Sequence, residues 1–399
     1  MSSHVLVLNA GSSSLKYSLV DAETGAAPAT GSVEQIGEPR GELRHSTGGA
    51  RHTSEREFPS VEEALEAVLG AFGTHGPSLQ EAEVVAVGHR VVHGGARFAE
   101  PSVVDDALIE EVSQLVPLAP LHNPANLEGM RVARKLFPDV PQVAVFDTAF
   151  HQTMPPVAYT YAVPLDWYEE HRIRRYGFHG TSHAFVSREA AGLLGKPIDE
   201  VNLIVLHLGN GASATAIRGG LSVDTSMGFT PLEGLVMGTR SGDLDPAVPA
   251  HLHRELGWSI EAVDTALNRE SGLKGLTGHN DFREVLALRA QGDEAARLAF
   301  DIYAYRIRKY VGAYVAVLGR VDAVVFTAGV GQHSHELRAA SLAGLEMLGI
   351  EIDWARNSRP TDGASTVSTD TSRVQVLVVP TNEEWEIAQQ ALAVIRRRQ

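Results

Sequence analysis

Two stretches far apart in the chain carry the same device, and this repetition constrains the fold more than any other feature. Val5 to Leu8 has the pattern of a buried strand, and Tyr17 to Val20 reads as a second strand, closed by Asp21 and a Thr24-Gly25 turn. Between them, Asn9-Ala10-Gly11-Ser12-Ser13-Ser14-Leu15-Lys16 makes a turn of small residues with consecutive hydroxyls and a lysine at its far end. Small residues let backbone N–H groups approach an anion closely, and Lys16 adds a positive point charge. The turn runs into another strand rather than a helix, so it is not a Walker A loop. The second stretch repeats the order: Asn202 to Leu208 as a strand, Gly209-Asn210-Gly211-Ala212-Ser213 as a small-residue turn, and Ala214 to Ile217 as the return. A third element of this kind is the strand Asp322 to Phe326 followed by Thr327-Ala328-Gly329-Val330-Gly331. Two related halves, each offering a phosphate turn, predict a nucleotide clamped between them.

The rest of the chain reads as strands alternating with helices, an α/β pattern. Helices are predicted over Ser60 to Phe72, with Ser60 and Glu63 in capping-box spacing, and over Asp105 to Val116 and Ala125 to Leu136. Glu294 to Leu318 reads as one long, largely buried helix, and Glu383 to Arg397 as a last helix with Thr381 and Glu384 in capping-box spacing. Glu83 to Val87 and Gln142 to Phe146 read as strands. Arg40 to Glu57 is polar and rich in Gly, Arg and His, which predicts a surface hairpin or a mobile loop. The Pro-rich stretch around Met154-Pro155-Pro156 is a candidate boundary. The expected domains are 1–150 and 151–382, with 383–399 a C-terminal helix packing back towards the first.

Charge narrows the partners. Lys plus Arg number 34 against 49 Asp plus Glu, a net charge of −15. A chain this acidic is a poor match for nucleic acid or anionic lipid, so any phosphate must be held locally. The absence of cysteine removes disulfide and thiolate chemistry and fits a cytoplasmic protein. Neither a signal peptide nor an apolar run of about 18 residues is visible, so no membrane contact is expected.

Several side chains could carry chemistry. Arg90 and Arg240 each close a segment rich in small residues, and arginine's planar fork suits carboxylate or phosphate. For Arg240 an ion pair with Asp243 or Asp245 is the equal alternative. Tyr176 to His183 contains H-x-x-x-H, but Gly180 stands where a zinc protease needs Glu, so metal hydrolysis is rejected. Flanking Gly177 and Gly180 place His179 on a turn that a ligand can approach, whereas His183 reads as structural. Asp147 ends a strand, where α/β proteins place ligands, or else caps a turn with Thr148. With Glu384 assigned to the capping box, Glu383 is left as a possible metal ligand. Magnesium needs only one or two protein oxygens alongside phosphate and water.

Together these segments resemble the acetate kinase family over nearly the whole chain. The resemblance rests on the block from Asn9 to Lys16, on Gly88-His89-Arg90-Val91-Val92-His93-Gly94-Gly95, and on Pro120-Leu121-His122-Asn123-Pro124. It continues through Phe146-Asp147-Thr148-Ala149-Phe150-His151, Arg175 to His183, His207-Leu208-Gly209-Asn210-Gly211, Met237-Gly238-Thr239-Arg240-Ser241-Gly242-Asp243 and Pro380-Thr381-Asn382-Glu383-Glu384. It implies two related ribonuclease H-like, actin-type ATPase domains with a central nucleotide cleft, assembled as a homodimer.

The resemblance also implies site residues. Asn9 and Glu383 would hold Mg²⁺ or Mn²⁺, with Lys16 and Ser12 near the nucleotide phosphates. His207, Leu208, Gly209, Asn210, Gly211, Asp281, Phe282, Arg283, Gly329, Val330, Gly331, Gln332 and His333 would line the ATP/ADP site. Arg90 would bind the acyl carboxylate, with Val92, Leu121, Phe178 and Pro231 around its methyl group. His179 and Arg240 would stabilise the transferring phosphoryl group, and Asp147 is the family's proposed acid/base residue. A carboxylic acid with a pKa of about 4 is already ionised at neutral pH, so Asp147 is read here as orienting Arg90, water or Mg²⁺. The expected reaction is reversible transfer from ATP to acetate. A propionate or butyrate kinase, or a regulatory protein of the same fold, are the alternatives. The chain departs from the family's Gly-Gly-Ile-Gly-Glu-Asn-Ser at Ala328 to Ser334, where His333 replaces the Asn that faces adenine, leaving base preference open. Trp385 replaces a usual Leu.

Overall fold

The protein is described by a computed structural model covering residues 3–359 and 363–398. The chain divides into two compact units, Met1–Phe150 with Asn382–Gln399, and His151–Thr381.

In the first unit, β1 (His4–Ala10) and β2 (Ser14–Asp21) form the antiparallel hairpin that the small-residue turn predicts, with Asn9 opposite Lys16. A meander of β3 (Ala29–Glu34), β4 (Gly41–Thr47) and β5 (Ala50–Arg56) extends the sheet beyond β2. On the other side, β6 (Val84–Val91) runs parallel to β1. It is followed in sequence by β7 (Ser102–Val103) and β8 (Gln142–Phe146), giving the order β5-β4-β3-β2-β1-β6-β8-β7. Both faces of β1 are covered. Leu6 and Leu8 pack with Leu65, Val68 and Phe72 of helix Val61–His75, while Val5 and Val7 meet Ile387, Ala388 and Ala391 of helix Glu383–Arg396. Double burial explains the uninterrupted apolar run.

The second unit repeats the plan. β9 (Asn202–Leu208) and β10 (Ala212–Arg218) form a hairpin, extended by β11 (Leu221–Thr225). β12 (Ala323–Thr327) joins β9 in parallel, with β13 (Ser365–Thr366) and β14 (Gln375–Val378) completing the order β11-β10-β9-β12-β14-β13. Thus β3-β2-β1-β6-β8 and β11-β10-β9-β12-β14 share one topology: an antiparallel three-strand meander, then two parallel strands. The duplication legible in two short turns is a duplication of whole sheets.

Of the two alternatives for Arg40 to Glu57, the chain takes the hairpin, β4/β5, whose fully buried His45 takes a 2.7 Å hydrogen bond with the Tyr17 hydroxyl and packs edge-on to Phe72. Three local expectations are corrected. The strand read over Glu83 to Val87 continues through Gly88 and His89 to Val91, so Arg90 lies within β6. Gly329 to Gly331 belong to helix Ala328–His333 rather than to a turn. Helix Glu294–Leu318 has the predicted bounds but is buried along one stripe, including Phe300, Tyr303, Ile307, Val311 and Tyr314, while Leu298, Tyr305 and Val317 are exposed.

The last helix corrects an argument as well as a boundary. Its N-cap is Asn382, whose Oδ1 accepts from Trp385 N at 2.9 Å. Thr381 is instead 2.8 Å from the Ser182 hydroxyl. Neither Glu383 nor Glu384 therefore serves the predicted capping box.

Candidate active site

In the first unit, the strand ends of β6 and β8 bring Arg90 and Asp147 together. Arg90 Nε lies 3.0 and 3.1 Å from the two Asp147 oxygens, and Nη2 lies 2.6 Å from Oδ2. Asp147 follows β8 directly, and its backbone N–H donates to the Val91 carbonyl at 2.9 Å. Glu383, the first residue of the C-terminal helix, lies 4.0 Å from Arg90 Nε. Burial works against the Arg90 charge, but Asp147 and Glu383 outweigh it and hold the guanidinium firmly protonated. Burial also raises the Glu383 carboxyl; Arg90 opposes that rise, Asp147 adds to it, and Lys16 opposes it. One arginine thus faces two carboxylates, a balance that favours a further cation.

The donor set suits a hard ion in part. Asn9 and Glu383 offer oxygens, as Mg²⁺ prefers. Among the described residues, however, no group of three or more His, Asp or Glu side chains could hold a metal alone. An ion shared with nucleotide phosphates fits this set; an ion caged by protein does not. A cavity of about 450 Å³ over the meander is lined by Asn9, Lys16, Arg44, Arg51 and Glu384. The acid sharing a cavity with Asn9 and Lys16 is thus Glu384, while Glu383 sits against Arg90. Ser12 and Lys16 are exposed on the hairpin.

In the second unit, another cavity of about 450 Å³ gathers the nucleotide candidates. Gly209, Asn210, Asp281, Phe282, Arg283, Gly329, Val330 and His333 line it, together with Leu273, Asn280, Leu286 and Ser334, which the sequence reading did not single out. The volume lies in the range of small-molecule sites. Asp281 caps helix Phe282–Ala290 through Arg283 N at 2.8 Å and also pairs with the Arg283 guanidinium. Leu208 and Gly331 are buried within their elements, and the Gln332 carbonyl accepts from Arg338.

The turn between β9 and β10 is approached by nitrogens. Gly209 N donates to the Gly211 carbonyl at 3.0 Å, closing the turn. A Cβ at Gly211 would lie 3.3 Å from His179 Nε2 and 3.6 Å from Arg240 Nη1; a Cβ at Gly209 would lie 3.9 Å from His207 Nε2. The rings of His179 and His207 stack at 4.3 Å between centroids. His179 holds a left-handed backbone, φ 57°, at the N-cap of helix Gly180–Leu193, a costly conformation for a non-glycine residue and one found disproportionately at functional sites. Arg240 donates to the Pro231 carbonyl at 3.2 Å and makes no ion pair among the described residues. Asp243, one of the two acids weighed as its partner, is engaged by Gly234 N and Tyr310 and lies 3.5 Å from Arg306, and Asp245 accepts from Ala247 N at 2.8 Å. Burial without a carboxylate lowers the Arg240 pKa. A guanidinium left without a carboxylate can accept an anion.

Of the four apolar candidates, Val92 and Leu121 belong to the first unit, and Phe178 and Pro231 to the second. Val92 N donates to Asn126 Oδ1 at 3.0 Å, Leu121 is exposed, and Phe178 is buried, its carbonyl accepting from His151 Nε2 at 2.9 Å.

Comparison with known proteins agrees across the chain. The profile of the Acetokinase family matches residues 4–389. The acetate kinase of Leifsonia xyli subsp. xyli is 58% identical over 393 residues, covering 98% of this chain and 99% of that protein. The crystal structure of Porphyromonas gingivalis acetate kinase superimposes with a TM-score of 0.94 at 43% identity, covering 98% of this chain and all of that one (100%). A propionate kinase from Francisella tularensis gives a TM-score of 0.93 at 42% identity, with 98% and 99% coverage.

Proposed function

The chain belongs to the acetokinase family, and on that premise we propose that it transfers the γ-phosphoryl group of ATP reversibly to the carboxylate of acetate, giving acetyl phosphate and ADP. The observation that carries the chemistry is the convergence of His179 Nε2 and Arg240 Nη1 on Gly211, beside the cavity lined by Gly209 and Asn210. Phosphoryl transfer depends chiefly on positioning and on neutralising charge, and a buried arginine without a carboxylate supplies a preorganised positive end.

Each unit contributes a part. Arg90 is gripped by Asp147 through the Nε edge, so its Nη1 remains available for the acyl carboxylate. Asp147 acts as an orienting residue, because the attacking carboxylate is already ionised near neutral pH and needs no base. His179 donates from Nε2 and Arg240 from Nη1 to oxygens of the transferring group. Lys16 lies near the phosphates, and Val92, Leu121, Phe178 and Pro231 select a short acyl chain. Asn9 and Glu383 would hold Mg²⁺ or Mn²⁺ together with the nucleotide phosphates, and the ion would neutralise phosphate charge. Residues 1–150, with Glu383 of the C-terminal helix, carry the acyl and metal side, and 151–382 the nucleotide side. We further propose a homodimeric, cytoplasmic enzyme.

A hydroxamate assay with ATP and acetate, propionate or butyrate tests this reading. Acyl phosphate should form from all three, fastest from acetate, since a methylene is worth only about 1–3 kcal/mol in a pocket. No product from any acid would refute it.

A further inference from the structure

His179 does not stand alone. Its Nδ1 lies 2.9 Å from the Ser213 hydroxyl on β10, and the same oxygen lies 2.8 Å from Nε2 of His183, one turn further along helix Gly180–Leu193. Ser213 and His183 are fully buried. A hydroxyl has one proton, so it donates to one imidazole and accepts from the other. Two arrangements satisfy both contacts, and the far side of His183 distinguishes them.

Nδ1 of His183 is buried and has no hydrogen-bond partner among the described residues. If Ser213 donated to His183 Nε2, the neutral ring would carry its proton on Nδ1, leaving a buried N–H unsatisfied. Genuinely orphaned buried N–H groups are rare in folded proteins. If His183 instead donates its Nε2–H to Ser213, only a bare lone pair is left unpaired, in the intrinsically preferred tautomer. A charged His183 is disfavoured because burial, together with His151 and His207 nearby, holds its pKa well below the ordinary value.

We propose that His183 and Ser213 form a one-directional relay, His183 Nε2–H to Ser213 Oγ–H to His179 Nδ1, that fixes the tautomer of His179 with its proton on Nε2. That nitrogen is the one facing Gly211. His183 and Ser213 are therefore positioning residues: they touch no reacting atom, but they decide that His179 offers a donor and not a lone pair to the phosphoryl group. The opposite tautomer would present a lone pair to an anion, a repulsive contact. The inference rests on the phosphoryl-binding role given to His179 above.

The test is nitrogen-15 NMR of the full-length protein with labelled histidines, read at the imidazole nitrogens. The expected wild-type pattern is protonated Nε2 and unprotonated Nδ1 at both His179 and His183; a proton on Nδ1 of either ring overturns the relay, whatever the activity. Ser213→Ala should give a mixed His179 tautomer and lower kcat by about tenfold or more, with KM for ATP and acetate changed by less than about threefold. An unchanged His179 spectrum in that variant overturns the proposal. Ser213→Thr, which keeps the hydroxyl, and His183→Gln, which keeps a donor at the Nε2 position, should recover most of the rate. Failure of both to do so while folded counts against the relay. The role of His179 itself is judged separately. Wild-type turnover in His179→Ala would refute that role and leave the tautomer result standing.

Discussion

Asp147 holds Arg90 by one edge of its guanidinium, with Nε shared between both carboxylate oxygens and Nη2 at 2.6 Å from one of them. This geometry makes the carboxylate a clamp that fixes the plane of Arg90. Asp147→Asn should weaken the clamp, since an amide N–H would then face the arginine donors. The expected result is a KM for acetate raised about tenfold or more, as for a hydrogen bond to a charged group worth about 1.5–3 kcal/mol, and not restored by excess Mg²⁺. Steady-state kinetics at saturating metal checks it. Loss of kcat alone, with the acidic side of the pH–rate profile abolished, would mark Asp147 as a proton acceptor instead.

Arg240 should separate function from stability. Among the described residues it is a largely buried cation without a carboxylate partner, held by the Pro231 carbonyl and a long contact to Met237 Sδ. Removing such a charge relieves a desolvation cost. Arg240→Met is expected to lower kcat by about 10²–10³-fold, the scale of a lost transition-state donor, while the melting temperature stays level or rises. Parallel kinetics and thermal melts decide the point, and a marked fall in melting temperature would count against a site kept open for an anion.

The sequence made the two hairpins legible because each combines an apolar strand, a small-residue turn and a return strand, all local signals. The strand that carries Arg90 reads as ending at Val87 because Gly88 looks like punctuation, whereas here Gly88 lets Ile387 of the C-terminal helix pack closely; an added Cβ would lie 2.7 Å from that side chain. The cap of the last helix was misassigned by one residue, since Thr381 and Asn382 are both good caps and only tertiary contact with Ser182 commits the threonine elsewhere. Ser213 was legible as part of a turn, but not as the meeting point of two histidines from a distant helix. Candidate site residues carried by ordered motifs can be named from the sequence. Those defined by hydrogen bonds between elements cannot.

Acid should destabilise the folded protein through its buried histidines. Burial lowers His89 to about 4 and His93 to about 3, and holds His183 well below its ordinary value. Above about pH 6.5 these rings are neutral in both folded and unfolded chains. Below it the unfolded chain takes up protons that the fold refuses, so stability falls from about pH 6.5 towards 4, with a slope of up to about 1.4 kcal/mol per pH unit for each histidine. Glu383 works in the opposite sense. Its raised pKa means that its contribution is greatest below the unfolded value and is lost as pH rises through the folded one. Asp224, also raised by burial, acts in the same sense as Glu383, so two carboxyls stand against three histidines and the histidines dominate. Urea midpoints at pH 7, 6 and 5 should decline steadily, and His89→Gln should flatten the decline.

Arg338 should control nucleotide affinity without touching the nucleotide. Buried, and with its pKa brought down to about 10 by desolvation, it donates from Nη1 to the Gly331 and Gln332 carbonyls at 2.9 and 2.7 Å. Those carbonyls lie near the C-terminus of helix Ala328–His333, where a cation also offsets the helix dipole. Nε and Nη2 bind the Asn357 side chain and carbonyl at 2.7 and 2.8 Å, anchoring the short helix to Trp354–Asn357. The other side of the anchored helix presents Gly329, Val330 and His333 to the cavity. Arg338→Met keeps the length of the side chain and removes all four bonds, leaving buried carbonyls unsatisfied at about 1–3 kcal/mol for each lost partner. The fold should weaken measurably, and KM for ATP should rise more than KM for acetate. His333→Asn, at the exposed end of the same helix, should instead alter KM for ATP and the ATP/GTP ratio by no more than about fivefold, with stability unchanged, since one rim hydrogen bond is worth about 0.5–1.5 kcal/mol. Equal effects of Arg338→Met on both substrates would refute a role specific to the nucleotide side.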